Sequence, residues 1–142
     1  MALEKTRGRR ISVGETAVVV GAGRSGLAAA RLLCREGAQV RLLDSNADAF
    51  SGREALAGEL RQLGISIELG PHKPDQFENA AFVVPSPGMP VARLAGLVDG
   101  ERAEILAEME LAWRYLENEP VLAVTGASGK TTTASLAAAM LH

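Results

Sequence analysis

The sequence predicts an α/β fold: a Rossmann-like parallel sheet with helices on both faces, followed by the first strand, phosphate loop and helix of a second, truncated α/β domain. Three observations predict it. Short Val- and Ile-rich runs alternate with Ala/Leu-rich stretches of helical period, the pattern of repeated βαβ units. Two glycine turns, Gly21-Ala-Gly-Arg-Ser-Gly26 and Gly126-Ala-Ser-Gly-Lys130, each follow an apolar run and open a helical stretch. Aromatic residues are only 4% of a chain that is 47% hydrophobic, so the core must be aliphatic.

Each element has a local reason. Thr16–Val20 is a short apolar strand, and Gly21–Gly26 is the turn that closes it. Leu27–Glu36 continues as a helix with Leu27, Ala30 and Cys34 on one stripe, and Gly37 stops it. Gln39–Leu43 is the second strand, ending at Asp44. Ser51–Leu63 reads as a helix with Leu56, Leu60 and Leu63 inward, before Gly64. Ile65–Leu69 is the third strand, and Gly70-Pro-His-Lys-Pro74 a loop in which His72 is an exposed residue without a catalytic role. Ala81–Val84 is a buried fourth strand, closed by the rigid turn Pro85-Ser-Pro-Gly-Met-Pro90. Val91–Leu97 is a candidate helix and Ile105–Ala107 a short fifth strand. Glu108–Leu116 reads as a helix with Met109, Ala112, Trp113 and Leu116 inward, broken at Asn118–Pro120. Val121–Val124 is then the strand leading into the second glycine loop. The domain division is a tail over 1–15, a sheet domain over 16–104, and the start of a second domain over 105–142.

Right-handed crossovers make such strands parallel, and ligands bind at their carboxyl ends. Three loops fall there: Gly21–Gly26, Asp44–Asn46 and Ser86–Gly88. The first fits G-x-G-x-x-G, with an acid, Asp44, eighteen residues after Gly26 at the end of the next strand. Gly21 permits the turn, Gly23 lets the backbone approach a diphosphate, and Gly26 lets helix and strand pack closely. Arg24 and Ser25 offer backbone N–H groups at the helix start. The competing reading is a glycine turn kept for packing, with Asp44 capping the loop instead of binding a ribose or base.

The second loop suits a triphosphate. Backbone N–H groups around Gly126, Ala127, Ser128, Gly129, Lys130 and Thr131 can ring an anion at a helix amino end. Lys130 can reach the β/γ-phosphates and the Thr131 hydroxyl can ligate Mg²⁺. The first glycine of the strict pattern is displaced: Val124 stands there. An ordinary strand–turn–helix corner is the competing reading. The chain ends nine residues after Thr133, so this site reads as begun and not finished.

Composition excludes several classes. A net charge of −2 supplies no basic field for nucleic acid. Cys34 is the only cysteine, so no intrachain disulfide forms, and it reads as a buried thiol. No apolar stretch reaches membrane-spanning length, and the basic start with Lys5, Arg7, Arg9 and Arg10 lacks an apolar segment after it, so a solvated tail and a cytoplasmic protein are expected. The acids Glu101, Glu104, Glu108, Glu110, Glu117 and Glu119 read as a solvated face, and Glu108 and Glu110 are not spaced to form a metal-binding pair.

Two phosphate sites in one chain suggest ATP-driven joining of a nucleotide-carried substrate to something else. The segments at 19–30, 42–44, 70–72, 86–90, 108–112 and 124–133 carry the resemblance: Val-Val-Gly-Ala-Gly-Arg-Ser-Gly-Leu-Ala-Ala-Ala, Leu-Leu-Asp, Gly-Pro-His, Ser-Pro-Gly-Met-Pro, Glu-Met-Glu-Leu-Ala and Val-Thr-Gly-Ala-Ser-Gly-Lys-Thr-Thr-Thr. In that order they resemble the Mur ligases, most of all those acting on UDP-N-acetylmuramoyl-L-alanine and D-glutamate. The resemblance implies a first domain for the UDP substrate, a central ATP domain and a third for the amino acid. It implies Gly23, Arg24, Ser25 and Gly26 at the diphosphate, Asp44 and Ser45 at the uracil, and Ser86, Pro87 and Gly88 bordering the pocket. It implies Lys130, Thr131 and Thr132 on ATP phosphates and Mg²⁺, with Lys130 in the catalytic role. The family has Asn where Ser128 stands, and some members a basic residue at Asn46. The chain alone is then expected not to ligate; the complete protein is expected to be a monomer, and the Ala/Leu face of 134–141 to pack on a neighbouring chain or to be poorly ordered. The alternative is an NAD(P)-binding Rossmann domain of a dehydrogenase or regulatory protein.

Overall fold

The computed structural model describes residues 8–116 and 121–141. Five strands, β1 (Thr16–Val20), β2 (Gln39–Asp44), β3 (Ser66–Leu69), β4 (Ala80–Pro85) and β5 (Glu104–Ile105), form one sheet in the order β3-β2-β1-β4-β5, every pair parallel. Helices α1 (Arg24–Arg35), α2 (Glu54–Gln62) and α3 (Glu108–Tyr115) accompany it, and α4 (Lys130–Leu141) follows. Val20 stands level with Leu43 and with Pro85, so Gly21, Asp44 and Ser86 leave the sheet side by side.

The strands alternate their side chains between two cores. Ala17, Val19, Leu42, Phe82 and Val84 point to one side, against Ala30 and Leu33 of α1, Leu60 of α2 and Leu111 of α3. Val18, Val20, Leu43 and Val83 point to the other, against Phe77, Leu94 and Ala103. The expected helices do cover both faces, but unequally: the α-helices lie on one, and the other carries two four-residue 3₁₀ helices, Pro74–Phe77 and Val91–Leu94. The walk β1–β2–β3 uses right-handed crossovers on one face, and the reverse step from β4 to β5 uses the opposite face. The connections on that side carry Pro71, Pro74 and Pro90, which do not support a long helix.

Several boundaries move. The first helix starts at Arg24, not Leu27, because Arg24–Gly26 form its first turn. The second starts at Glu54, not Ser51, since Gly52 holds φ +70°. Ala57 and Leu60 are buried and Leu56, half-buried, packs against the same core as expected, while Leu63 lies past the helix end, half exposed. Val91–Leu97 is one short turn, and the fifth strand is Glu104–Ile105, not Ile105–Ala107. Cys34 is only partly buried, its thiol donating to the Leu63 carbonyl at 3.1 Å. His72 is partly buried too: its ring meets Phe77 edge-on at 6.4 Å, and both ring nitrogens lack a hydrogen-bond partner among the described residues.

The largest differences involve α3. Its buried residues are Leu111 and Arg114, and Met109, expected inward, is 78% exposed. The Arg114 guanidinium pairs with Glu104 at 2.6 Å and Glu110 at 3.1 Å, and donates to the Arg9 carbonyl at 2.8 Å. Arg10 donates back to the Arg114 carbonyl at 2.8 Å, the Ile11 N–H donates to the Tyr115 hydroxyl at 3.0 Å, and Ile11 is buried. The Arg9 guanidinium lies 4.6 Å from the Phe82 ring centre. From residue 8 onward the expected solvated tail is therefore a strap across the sheet and α3; Lys5 and Arg7 lie outside the described residues. β5 pairs with β4 and α3 packs on α1, so these two elements both contact the sheet layer.

The strand expected at Val121–Val124 does not form: no partner strand lies beside it among the described residues, and Val121 and Leu122 are exposed. The helix after the loop does form, as α4, with no residue buried. The break at Asn118–Pro120, together with Glu117, Glu119 and His142, lies outside the described residues.

Candidate functional site

The site is built where the central strands end. Gly21 adopts φ +111°, and its N–H still donates to the Leu43 carbonyl at 2.6 Å, carrying the β1–β2 ladder one step past the strand. On the other side the Ser86 N–H donates to the Val20 carbonyl at 2.7 Å. A side chain on Gly21 would stand 2.7 Å from the Ser86 β-carbon, so the two loops touch. A methyl group on Gly26 would overlap the Gly21 carbonyl oxygen. Gly23 has open space around it. Gly21 thus serves the turn and Gly26 the packing, while Gly23 leaves open space beside the loop.

Helix α1 begins here with no side-chain cap and no acid in its first turn. Its first internal bond runs from the Leu27 N–H to the Gly23 carbonyl, at 3.0 Å. The N–H groups of Arg24, Ser25 and Gly26 therefore have no partner within the helix and face the end where the macrodipole is positive. This is the chemistry that holds a phosphate or diphosphate.

Asp44 does what the packing alternative described. One carboxylate oxygen accepts the Ala22 N–H at 2.7 Å and the other the Asn46 N–H at 2.8 Å. The aspartate ties the glycine loop to the β2 loop, and the second lone pair of each oxygen is left for other donors. Ser45 is exposed beside it, and the Asn46 side chain accepts the Asp48 N–H at 3.0 Å. In the third loop the Met89 N–H closes a turn on the Ser86 carbonyl at 3.0 Å, with Gly88 at φ +89°. The structure thus brings Gly23–Gly26, Asp44, Ser45 and Ser86–Gly88 to one edge of the sheet. A cleft of about 280 Å³ adjoins Ser86–Met89, lined also by Ile105, Glu108 and Met109. Sequence reasoning missed that Glu108 lines this cleft, because acids in a helical run read as a solvated face.

The second loop is open. Gly126 and Gly129 hold φ +157° and +73°, and the Lys130 ammonium donates to the Gly126 carbonyl at 2.7 Å, bending across the loop. The first bond of α4 joins the Thr133 N–H to the Gly129 carbonyl at 2.9 Å, leaving the N–H groups of Lys130, Thr131 and Thr132 without helix partners. Ala127, Ser128 and the Thr131 hydroxyl are exposed beside them. Mg²⁺ at such loops takes one hydroxyl and completes its shell with phosphate oxygens and water, so a lone Thr131 fits that pattern. Among the described residues no group of three His, Cys, Asp or Glu side chains could hold a metal ion by itself, and no helix is long and apolar enough to cross a membrane.

The family model described as "Mur ligase MurD-like, N-terminal domain" matches residues 15–98. A UDP-N-acetylmuramoylalanine--D-glutamate ligase of Desulfovibrio desulfuricans is 99% identical over the whole chain, which covers 33% of that protein. A ligase of the same name from Nitratidesulfovibrio vulgaris is 55% identical over the whole chain, which covers 32% of it. The chain therefore spans about a third of the length of these curated relatives. Among solved structures, a pseudomurein peptide ligase type C from Methanothermus fervidus superposes with a TM-score of 0.61 at 28% identity, over 84% of this chain and 24% of that one. A dipicolinate synthase structure from Bacillus halodurans, with a TM-score of 0.53 at 19% identity over 91% of this chain and 46% of that one, shares the fold alone.

Proposed function

The chain belongs to the Mur ligase family, of the MurD-like type, and from that membership we propose that it carries the nucleotide-sugar-binding part of an ATP-dependent ligase joining D-glutamate to UDP-N-acetylmuramoyl-L-alanine in peptidoglycan synthesis. One observation supports the binding role above the others: the uncapped amino end of α1 stands at the switch point between β1 and β4, beside loops that bear Asp44 and Ser86. There the N–H groups of Gly23–Gly26 meet the diphosphate, Asp44 and Ser45 face the uridine, and Ser86, Pro87 and Gly88 border the pocket.

In the complete protein the loop at 126–132 binds ATP with Mg²⁺ at Thr131. The substrate carboxylate oxygen attacks the γ-phosphorus and ADP departs, leaving an acyl phosphate. The D-glutamate amine then attacks the acyl carbon, inorganic phosphate leaves, and the nitrogen sheds a proton. Lys130 neutralises charge on the transferring phosphoryl group once a nucleotide draws it off the Gly126 carbonyl. The sheet domain extends through α3, and the ATP-binding part begins after residue 120. The complete protein works as a monomer in the cytoplasm, and the present chain does not ligate alone.

Binding to this chain tests the first half of the reading. UDP-N-acetylmuramoyl-L-alanine raises its melting temperature and NAD⁺ does not. A rise with NAD⁺ and none with the uridine compound would overturn it in favour of a dinucleotide-binding domain. D-glutamate-dependent ADP release by the full-length relative tests the second half.

A further inference from the structure

Glu108 is the first residue of α3, and its carboxylate has no hydrogen-bond or ion-pair partner among the described residues. Its neighbours differ: Glu104 and Glu110 are both held by Arg114. Glu108 is half-buried and lies close to Ser25, Gly26 and Ser86, with no room for a water between them. On its other side it lines the mainly apolar cleft beside Met89 and Met109. A lone acidic group therefore stands between the anion-binding end of α1 and the space a diphosphate's substituent would enter.

We propose that Glu108 determines specificity for a nucleotide whose diphosphate is esterified to a sugar, over the free nucleoside diphosphate. This rests on the function proposed above. A carboxylate only accepts hydrogen bonds, and a sugar offers hydroxyl and amide donors to it. A free diphosphate offers no such donor at its terminal phosphate and carries an additional negative charge there, which the carboxylate repels. One group thus favours the esterified ligand and opposes the bare one, the two halves of discrimination. Serving only as a first-turn charge on the α3 dipole would stabilise the helix without distinguishing ligands.

Calorimetric titration of Glu108→Gln with UDP-N-acetylmuramoyl-L-alanine and with UDP reads the proposal. The variant binds the sugar nucleotide about fivefold or more weakly and binds UDP as well as or better than the parent, with its melting temperature held within a few degrees. Glu108→Asp, which keeps the charge on a shorter arm, retains the rejection of UDP. Equal changes for both ligands, or none for either, would overturn the assignment. If the parent chain binds neither uridine compound, the proposed function fails. If the parent binds both and Glu108→Gln matches it, only the role of Glu108 fails.

Discussion

At the scale of single residues, the glycines of one motif do different work and respond differently to a methyl group. Gly26 has no room for one against the Gly21 carbonyl, so Gly26→Ala lowers stability by about 2 kcal/mol or more, read as a lower denaturation midpoint. Gly23 has φ −75° and open surroundings, so Gly23→Ala leaves the midpoint nearly unchanged and weakens only nucleotide binding, measured by titration. That division was legible in the sequence, because the spacing in G-x-G-x-x-G follows from how a strand turns into a helix. The role of Asp44 was not. An acid at a strand end suits a ribose and suits a loop clamp equally well, and only the placement of the Ala22 and Asn46 N–H groups reveals that Asp44 is a clamp, with lone pairs still free for a ligand.

At the scale of elements, the strap and α3 depend on one buried cation. Arg114 holds the Glu104 carboxyl below its ordinary value chiefly by hydrogen bonding, against an opposing effect of desolvation. A carboxyl lowered in the folded state contributes stability that is complete above its unfolded value, near 4.5, and is lost as pH falls below it. Glu15, lowered by the Ser12 N–H and by Arg9, acts in the same direction. The melting temperature therefore falls as pH drops from about 5 to 3, and Glu104→Gln flattens that part of the profile. This cluster was invisible in the sequence. Apolar periodicity assigned Met109, Ala112, Trp113 and Leu116 to the inner face, since a charged residue counts as outward until its partner is known. The partners of Arg114 lie on β5, on its own helix and in the backbone of Arg9, and no spacing rule joins those three.

At the scale of the whole molecule, Leu106 and, from α3, Leu111 belong to the buried cluster on the helix-covered side of the sheet. A chain ending at residue 116 unfolds cooperatively with nearly the melting temperature of the parent, whereas one ending at residue 104 loses Leu106, Leu111 and Arg114 from the core and the pairing of Ile105, and fails to give a sharp transition. Calorimetry of the two chains distinguishes them. The parallel sheet followed from the alternation of elements, whereas the strand order and the one-sided placement of the α-helices did not, the latter depending on proline-bearing connections that periodicity does not weigh. The flush ending of β1, β2 and β4 has a further evolutionary consequence. Three loops share one ledge while their roots stay locked in the ladder, so substitutions at the tips, as at exposed Ser45, can vary while Asp44 keeps the β2 loop tied to the glycine turn.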